Sequence, residues 1–407
     1  MSDFFRIPIK KHIFILAILA RVLVMPFLYH PDIKIYNFQS SFFGRGVINI
    51  YKFLDEKKQE LPYKEEFVYQ PLAYLFLGSF QYLLKPFLGN SFEKWLWDAS
   101  QQSIESIGVC RFYFLLKLPL LIFDILTAFI LASFFVKEED KKRAFYLWIL
   151  NPFSIFIIYA YSGFDVIVSF IVLAALFFAR KGNLVLSALL LVLGSLFKAY
   201  PLLFLPLIIL KGESLKEILN MILMVVFVLM FVLVPFSSFS FVSSALNSGL
   251  MNRILTPVID LGFGVKIIVP VLLLIFIYVD SRYKSKDTLI EYFFLVSVFI
   301  LSFIHFHIQW LIWVLPLFVL VWVRRSFDKL LVLSWLLFVF ATPFLYDDKQ
   351  MTVSLFSSFS YYFNLIPYPF VVVQRFYDPY YLQSLLQTAA SSLAIFLLWK
   401  NINTIKN

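Results

Sequence analysis

Long runs of Leu, Ile, Phe and Val recur along this chain, and short linkers between them carry most of the lysines and arginines. Several runs reach or approach the roughly 20 residues that cross a hydrocarbon core. They lack the roughly 10-residue alternation of a membrane β-barrel. Backbone amides and carbonyls in lipid must find partners within the chain, which leaves a helical bundle. Charged residues are 15% of the chain and hydrophobic ones 61%, whereas a soluble domain carries about 25% charged residues. These features predict an all-α, polytopic transmembrane helical bundle, with 1–407 as one transmembrane domain. The expected location is multi-pass, in the plasma membrane of a prokaryote or the endoplasmic reticulum membrane of a eukaryote.

The net charge of +10 does not point to nucleic acid, because the basic residues lie in linkers such as KEEDKKR at 137–143, Arg180-Lys181 and Arg324-Arg325. That is the positive-inside pattern. It predicts spans near 12–28, 111–135, 144–161 and 164–179. Further spans follow near 218–236, 265–280, 289–304, 308–323, 330–346 and 384–399. Residues 184–210 are read as a hairpin of two short helices broken at Lys198–Pro201, since proline disrupts a helix interior. The total is about twelve crossings. Outer segments are expected at 29–110, 237–264 and 347–383, with 69–88 as a re-entrant or interfacial helix in the first of them.

Polar residues inside so apolar a chain are candidates for a site, because burying an ionisable group is costly. On the outer face of this topology fall Asp32, Asp165 in the Ser-Gly-Phe-Asp turn, Lys198, and the segment His305-Phe-His307-Ile-Gln309-Trp310. No dinucleotide fingerprint, phosphate-binding loop, HExxH or CxxC pattern is present. Chemistry would therefore fall to dispersed side chains. Asp32 suits a general base for an attacking hydroxyl, and nearby cations suit a departing phosphate. Lys34, Asp165, Lys198, His305, His307, Gln309, Trp310 and Tyr69 are the expected donor-phosphate or substrate contacts. Arg21 and Asp124 sit within apolar runs, Asp124 within reach of Lys117 or a neighbouring helix. His305 and His307 without an acid pair make a poor metal site, so no metal ligand is assigned; no cofactor is certain, and a divalent metal is possible but weakly supported.

Taken in order, several short motifs resemble the membrane-embedded glycosyltransferases of the C superfamily (the GT-C fold). They are Asp32, Tyr69-Gln70-Pro71-Leu72, Asp124, Leu150-Asn151-Pro152, Phe197-Lys198-Ala199-Tyr200-Pro201 and His307-Ile308-Gln309-Trp310. The order is similar to the dolichyl-phosphate-mannose-dependent branch that includes the first mannosyltransferase of GPI-anchor assembly, and it covers most of 20–325. The resemblance implies inverting hexose transfer, with mannose the favoured sugar, from a polyprenyl- or dolichyl-phosphate donor to a glycolipid or lipid-linked glycan. The family's Asp-x-Asp is here Asp32-Ile33-Lys34, which lacks the second acid for a divalent metal. Two rival readings are a secondary transporter or lipid flippase, which would show inverted repeats of broken helices, and a noncatalytic membrane scaffold subunit.

Overall fold

The structure, a computed structural model, describes residues 10–100, 107–247 and 250–404. Among these residues the chain is helical apart from one antiparallel hairpin, Val258–Gly262 with Val265–Ile268, in which Val258 faces Ile268. Among the described residues three helices are long and apolar enough to cross a membrane: Gly108–Ser133, Leu215–Phe236 and Pro379–Ile402. A fourth is reached only if Glu138–Ile149 and Pro152–Tyr161, bent by 40° at their junction, count as one. The expectation of about twelve spans is thereby corrected. The twelve-span bundle is not what the structure shows, and the plasma-membrane or endoplasmic-reticulum location read from it loses that support.

Two physical causes separate the apolar runs from the spans they suggested. The first is interruption. Proline opens Pro152–Tyr161 and lies in the first turn of Leu205–Ile209 and of Leu315–Arg324, where its missing N–H costs nothing but the preceding helix cannot continue. Helices such as Lys11–Val24 and Asp165–Arg180 have 14 and 16 residues, or about 21–24 Å at 1.5 Å per residue, short of a core about 30 Å thick. The second cause is burial within the protein. Leu289–Phe303 is apolar around most of its circumference and is buried from Leu289 to Ser302, because Val269–Arg282 and Pro379–Thr404 pack against it. An all-round apolar helix is the pattern of a core helix as well as of a span. Leu215–Leu233 is the contrary case, burying only Met221 and Val225.

The segment 29–110 is largely helical, with Pro31–Ser41 packed on Pro71–Leu88 and Asn90–Trp97; its residues 101–106 lie outside the described set. The segment 237–264 carries the first strand of the hairpin, and its residues 248–249 also lie outside that set. The segment 347–383 is a series of short 3-10 turns followed by Pro369–Gln374. The run 184–210 is interrupted at 196–199, between Leu184–Ser195 and the short helices Tyr200–Phe204 and Leu205–Ile209, which pack back against it. The N-terminus of Pro71–Leu88 docks on this break. Gln70 N donates to Phe197 O (3.3 Å) and Leu72 N to Leu196 O (2.8 Å). That docking sets Tyr69 beside Lys198.

Candidate metal centre

Two histidines begin two different helical turns in the same way. His30 caps Pro31–Ser41 and its Nδ1 accepts from Asp32 N at 3.3 Å; His307 caps the 3-10 turn Ile308–Trp313 and its Nδ1 accepts from Gln309 N at 3.3 Å. Pro31 pre-sets the first helix. The two turns meet around Tyr161, whose ring centroid lies 5.6 Å from His30 and 5.7 Å from His307. The histidine rings are themselves 5.3 Å apart, edge to face. Tyr161 is held by its hydroxyl, which donates to Met351 O at 2.6 Å. Asp32 Oδ1 lies 3.5 Å from His30 Nδ1.

One ligand atom from each of His30, Asp32 and His307 falls within 4.8 Å of the others. A tetrahedral ion with ligands at roughly 2.1 Å holds them about 3.4 Å apart, so loading requires a contraction of at most about 1.4 Å. His30 is 3% exposed, and its Nε2 makes no hydrogen bond. A buried ring nitrogen without a partner is costly; with Nδ1 accepting from Asp32 N, the neutral ring carries its hydrogen on Nε2, so an ion would bind there only as that proton moves. His307 titrates well below the ordinary histidine range, first because it is buried and then because His30, Lys198, Arg253 and His305 add positive charge. The neutral ring is the form that binds metal.

A second cluster adjoins the first. Lys198 Nζ donates to Asp165 Oδ1 at 2.8 Å, and Trp313 Nε1 donates to the same oxygen at 2.6 Å. The lysine ammonium lies between Tyr69, Phe164, Trp310 and Trp313, at 5.4–6.0 Å from their ring centroids. Trp313 is sandwiched between Tyr200 (4.0 Å) and Trp310 (4.6 Å). Gly163 carries Gln309 and Asp165 against its backbone, and the Gln309 side-chain oxygen is buried without a hydrogen bond. Burial first, and then the Asp32 and Asp165 carboxylates, raise the Tyr36 and Tyr69 hydroxyls well above their ordinary value. Both carboxylates thus act on the same pair of tyrosines.

Of the residues the sequence singled out, Asp32, Tyr69, Asp165, Lys198, His307, Gln309 and Trp310 converge here. His305 does not join the histidine pair. Its ring lies against Tyr346 at 4.3 Å, on the rim of a cleft of about 370 Å³ that also reaches His307, Arg253 and Asp348. Arg253 stacks on Trp310 at 5.0 Å. Lys34 faces away from the cluster: its ammonium donates to Asp98 O at 2.5 Å and sits 5.0 Å from the Trp95 ring. His30 is the residue the sequence reading missed. The repeated pattern of a histidine just before a new helical turn was the available signal.

The chain matches no protein-family model and no curated protein. Short motifs in the order of the C-superfamily glycosyltransferases therefore carry no family assignment here, and the twelve-span frame those motifs required is absent. Glycosyl transfer from a polyprenyl- or dolichyl-phosphate donor, a glycolipid or lipid-linked glycan acceptor, and bilayer lipids as partners are corrected accordingly.

Proposed function

We propose that this protein binds a divalent first-row transition metal through His30, Asp32 and His307. The convergence of one ligand atom each from His30, Asp32 and His307 within 4.8 Å is the observation that supports this reading most directly. Two imidazoles and one carboxylate suit zinc or iron(II) and leave coordination positions open. The cleft of Arg253, His305, Tyr346 and Asp348 adjoins His307, so an open position has room for water or a small ligand. An ion there would lower the pKa of its water and polarise a bound oxygen. Asp165 and Lys198 are already paired with each other and serve as a fixed wall beside the site.

The test uses the full chain stripped with chelator and titrated with Co²⁺ while its visible absorption is followed, with Zn²⁺ as competitor. One equivalent of Co²⁺ with zinc-reversible bands is expected. His30→Ala and His307→Ala should abolish the bands, and Asp32→Asn should weaken binding by roughly tenfold or more. His305→Ala should retain them. Unaltered bands in His307→Ala, or no stoichiometric uptake by the wild type, would sink the assignment.

A further inference from the structure

The cleft beside His307 holds charges of both signs that do not neutralise one another. Arg253 lies over the Trp310 ring at 5.0 Å, and its Nη1 donates to His305 O at 3.2 Å. Among the described residues it forms no ion pair, so the Nε and Nη2 edge of its fork has no protein partner. Asp347 accepts from the Tyr368 hydroxyl, and Asp348 Oδ1 accepts from Gln350 N at 2.8 Å. Neither acid comes within ion-pair distance of Arg253 or of another cation among the described residues. His305 adds no charge at neutral pH, since burial and then Arg253 lower its pKa. Arg253, Asp347 and Asp348 all line the one cleft of about 370 Å³, the volume of roughly a dozen waters at about 30 Å³ each.

An arginine held flat on an indole offers its edge, and two parallel N–H groups on that edge match a carboxylate. A phosphate meets the same fork, but it would bring a charge of about −1.5 to −2 into a cleft that already holds two acids. The acids call for a donor-rich cation, and an ammonium supplies three donors. One ligand carrying both groups meets every unmatched charge in the cleft. We infer that this cleft binds a small amino acid as its zwitterion, the carboxylate on Arg253 and the ammonium on Asp347 and Asp348. Only the ligand's place beside an open metal position rests on the metal reading; its recognition by Arg253 and the two acids does not.

Titration calorimetry on the chelator-treated full chain tests this without an ion. Glycine and γ-aminobutyrate are the probes, and butyrate and butylamine are the controls with a single charge. Saturable binding of at least one amino acid is expected, roughly tenfold or more tighter than either control. Arg253→Lys keeps the charge but loses the fork, so it should weaken the amino acid roughly tenfold and leave butylamine unchanged. Asp348→Asn keeps the acceptor for Gln350 N, and should weaken the amino acid roughly tenfold while sparing butyrate. No saturable heat with either amino acid would overturn the inference, and Co²⁺ uptake by the same sample would show that the metal reading survives it. A control binding as tightly as the amino acids, or both variants matching the wild type, would also overturn it. Saturable heat in a chain that takes up no Co²⁺ would uphold the amino-acid site and sink the metal reading alone.

Discussion

A Cβ on Gly163 would lie 2.2 Å from Gln309 Oε1 and 2.9 Å from Asp165 Oδ2. Both neighbours are buried, so neither can swing aside into solvent. Gly163→Ala is therefore expected to destabilise the protein by about 1–3 kcal/mol, the range for overpacking a dense site. Chemical denaturation would read this as a lower midpoint; an unchanged midpoint would show that Gln309 relocates freely. At this scale much of the site was legible in the sequence. Asp165, Lys198 and Gln309 stood out as polar groups in apolar surroundings, and they do meet. Lys34 was misplaced for a geometric reason: two residues along a helix is a rotation of about 200°, so Asp32 and Lys34 face opposite ways. His30 escaped notice because its partner, His307, is 277 positions away, a separation that no local pattern spans.

Among the elements, the two helices Leu205–Ile209 and Val269–Arg282 end against each other and supply one another's caps. Lys211 Nζ donates to Ser281 O, and to Lys284 O at 2.7 Å, while Arg282 Nη1 donates to Leu210 O at 2.7 Å. Each cation thus satisfies carbonyls that a helix end leaves without partners. Burial, reinforced by the charge of Arg282, pushes the Lys211 ammonium down to about 8. Its unfolded value is near 10.4, so between these two values the unfolded chain holds the proton that the folded chain has lost. Stability should rise with pH across that window, and the penalty of burying the charge is fully present below pH 8. Lys211→Met should flatten the rise, as measured by urea denaturation from pH 7.5 to 10. The same slope in both proteins would mean that Lys211 keeps an ordinary affinity for its proton. Legibility was uneven here. The break at Lys198–Pro201 follows from proline chemistry, but the capping by Lys211 does not, since that residue reads from sequence as one more basic linker position.

For the whole molecule, a buried ion pair ties the first helix to three others. Arg21 Nε donates to Asp124 Oδ2 at 2.6 Å, and Arg21 Nη1 reaches Ile149 O at 2.7 Å. Trp148 Nε1 and Tyr159 OH donate to the same carboxylate, each at 2.8 Å. Both charged side chains are fully buried. Removing one partner strands the other charge, so Arg21→Met or Asp124→Asn should cost about 3–5 kcal/mol, and the double replacement Arg21→Met with Asp124→Leu should recover much of that loss. Calorimetric unfolding would decide; single variants as stable as the wild type would remove the pair from any structural role. Of the two partners expected for Asp124, a neighbouring helix supplies it through Arg21, while Lys117 donates to the carbonyls of Met25, Leu28 and Tyr159 at 2.6–2.8 Å. By itself the sequence determined that the chain is helical and apolar, where prolines interrupt it, and which few polar residues must be accounted for. Only the tertiary structure decided what covers each apolar run and which polar groups meet. Hydropathy measures how much surface must leave water, and it is silent on whether lipid or another helix takes water's place. Partnership between side chains depends on distances through space, which the order of residues along a chain does not contain.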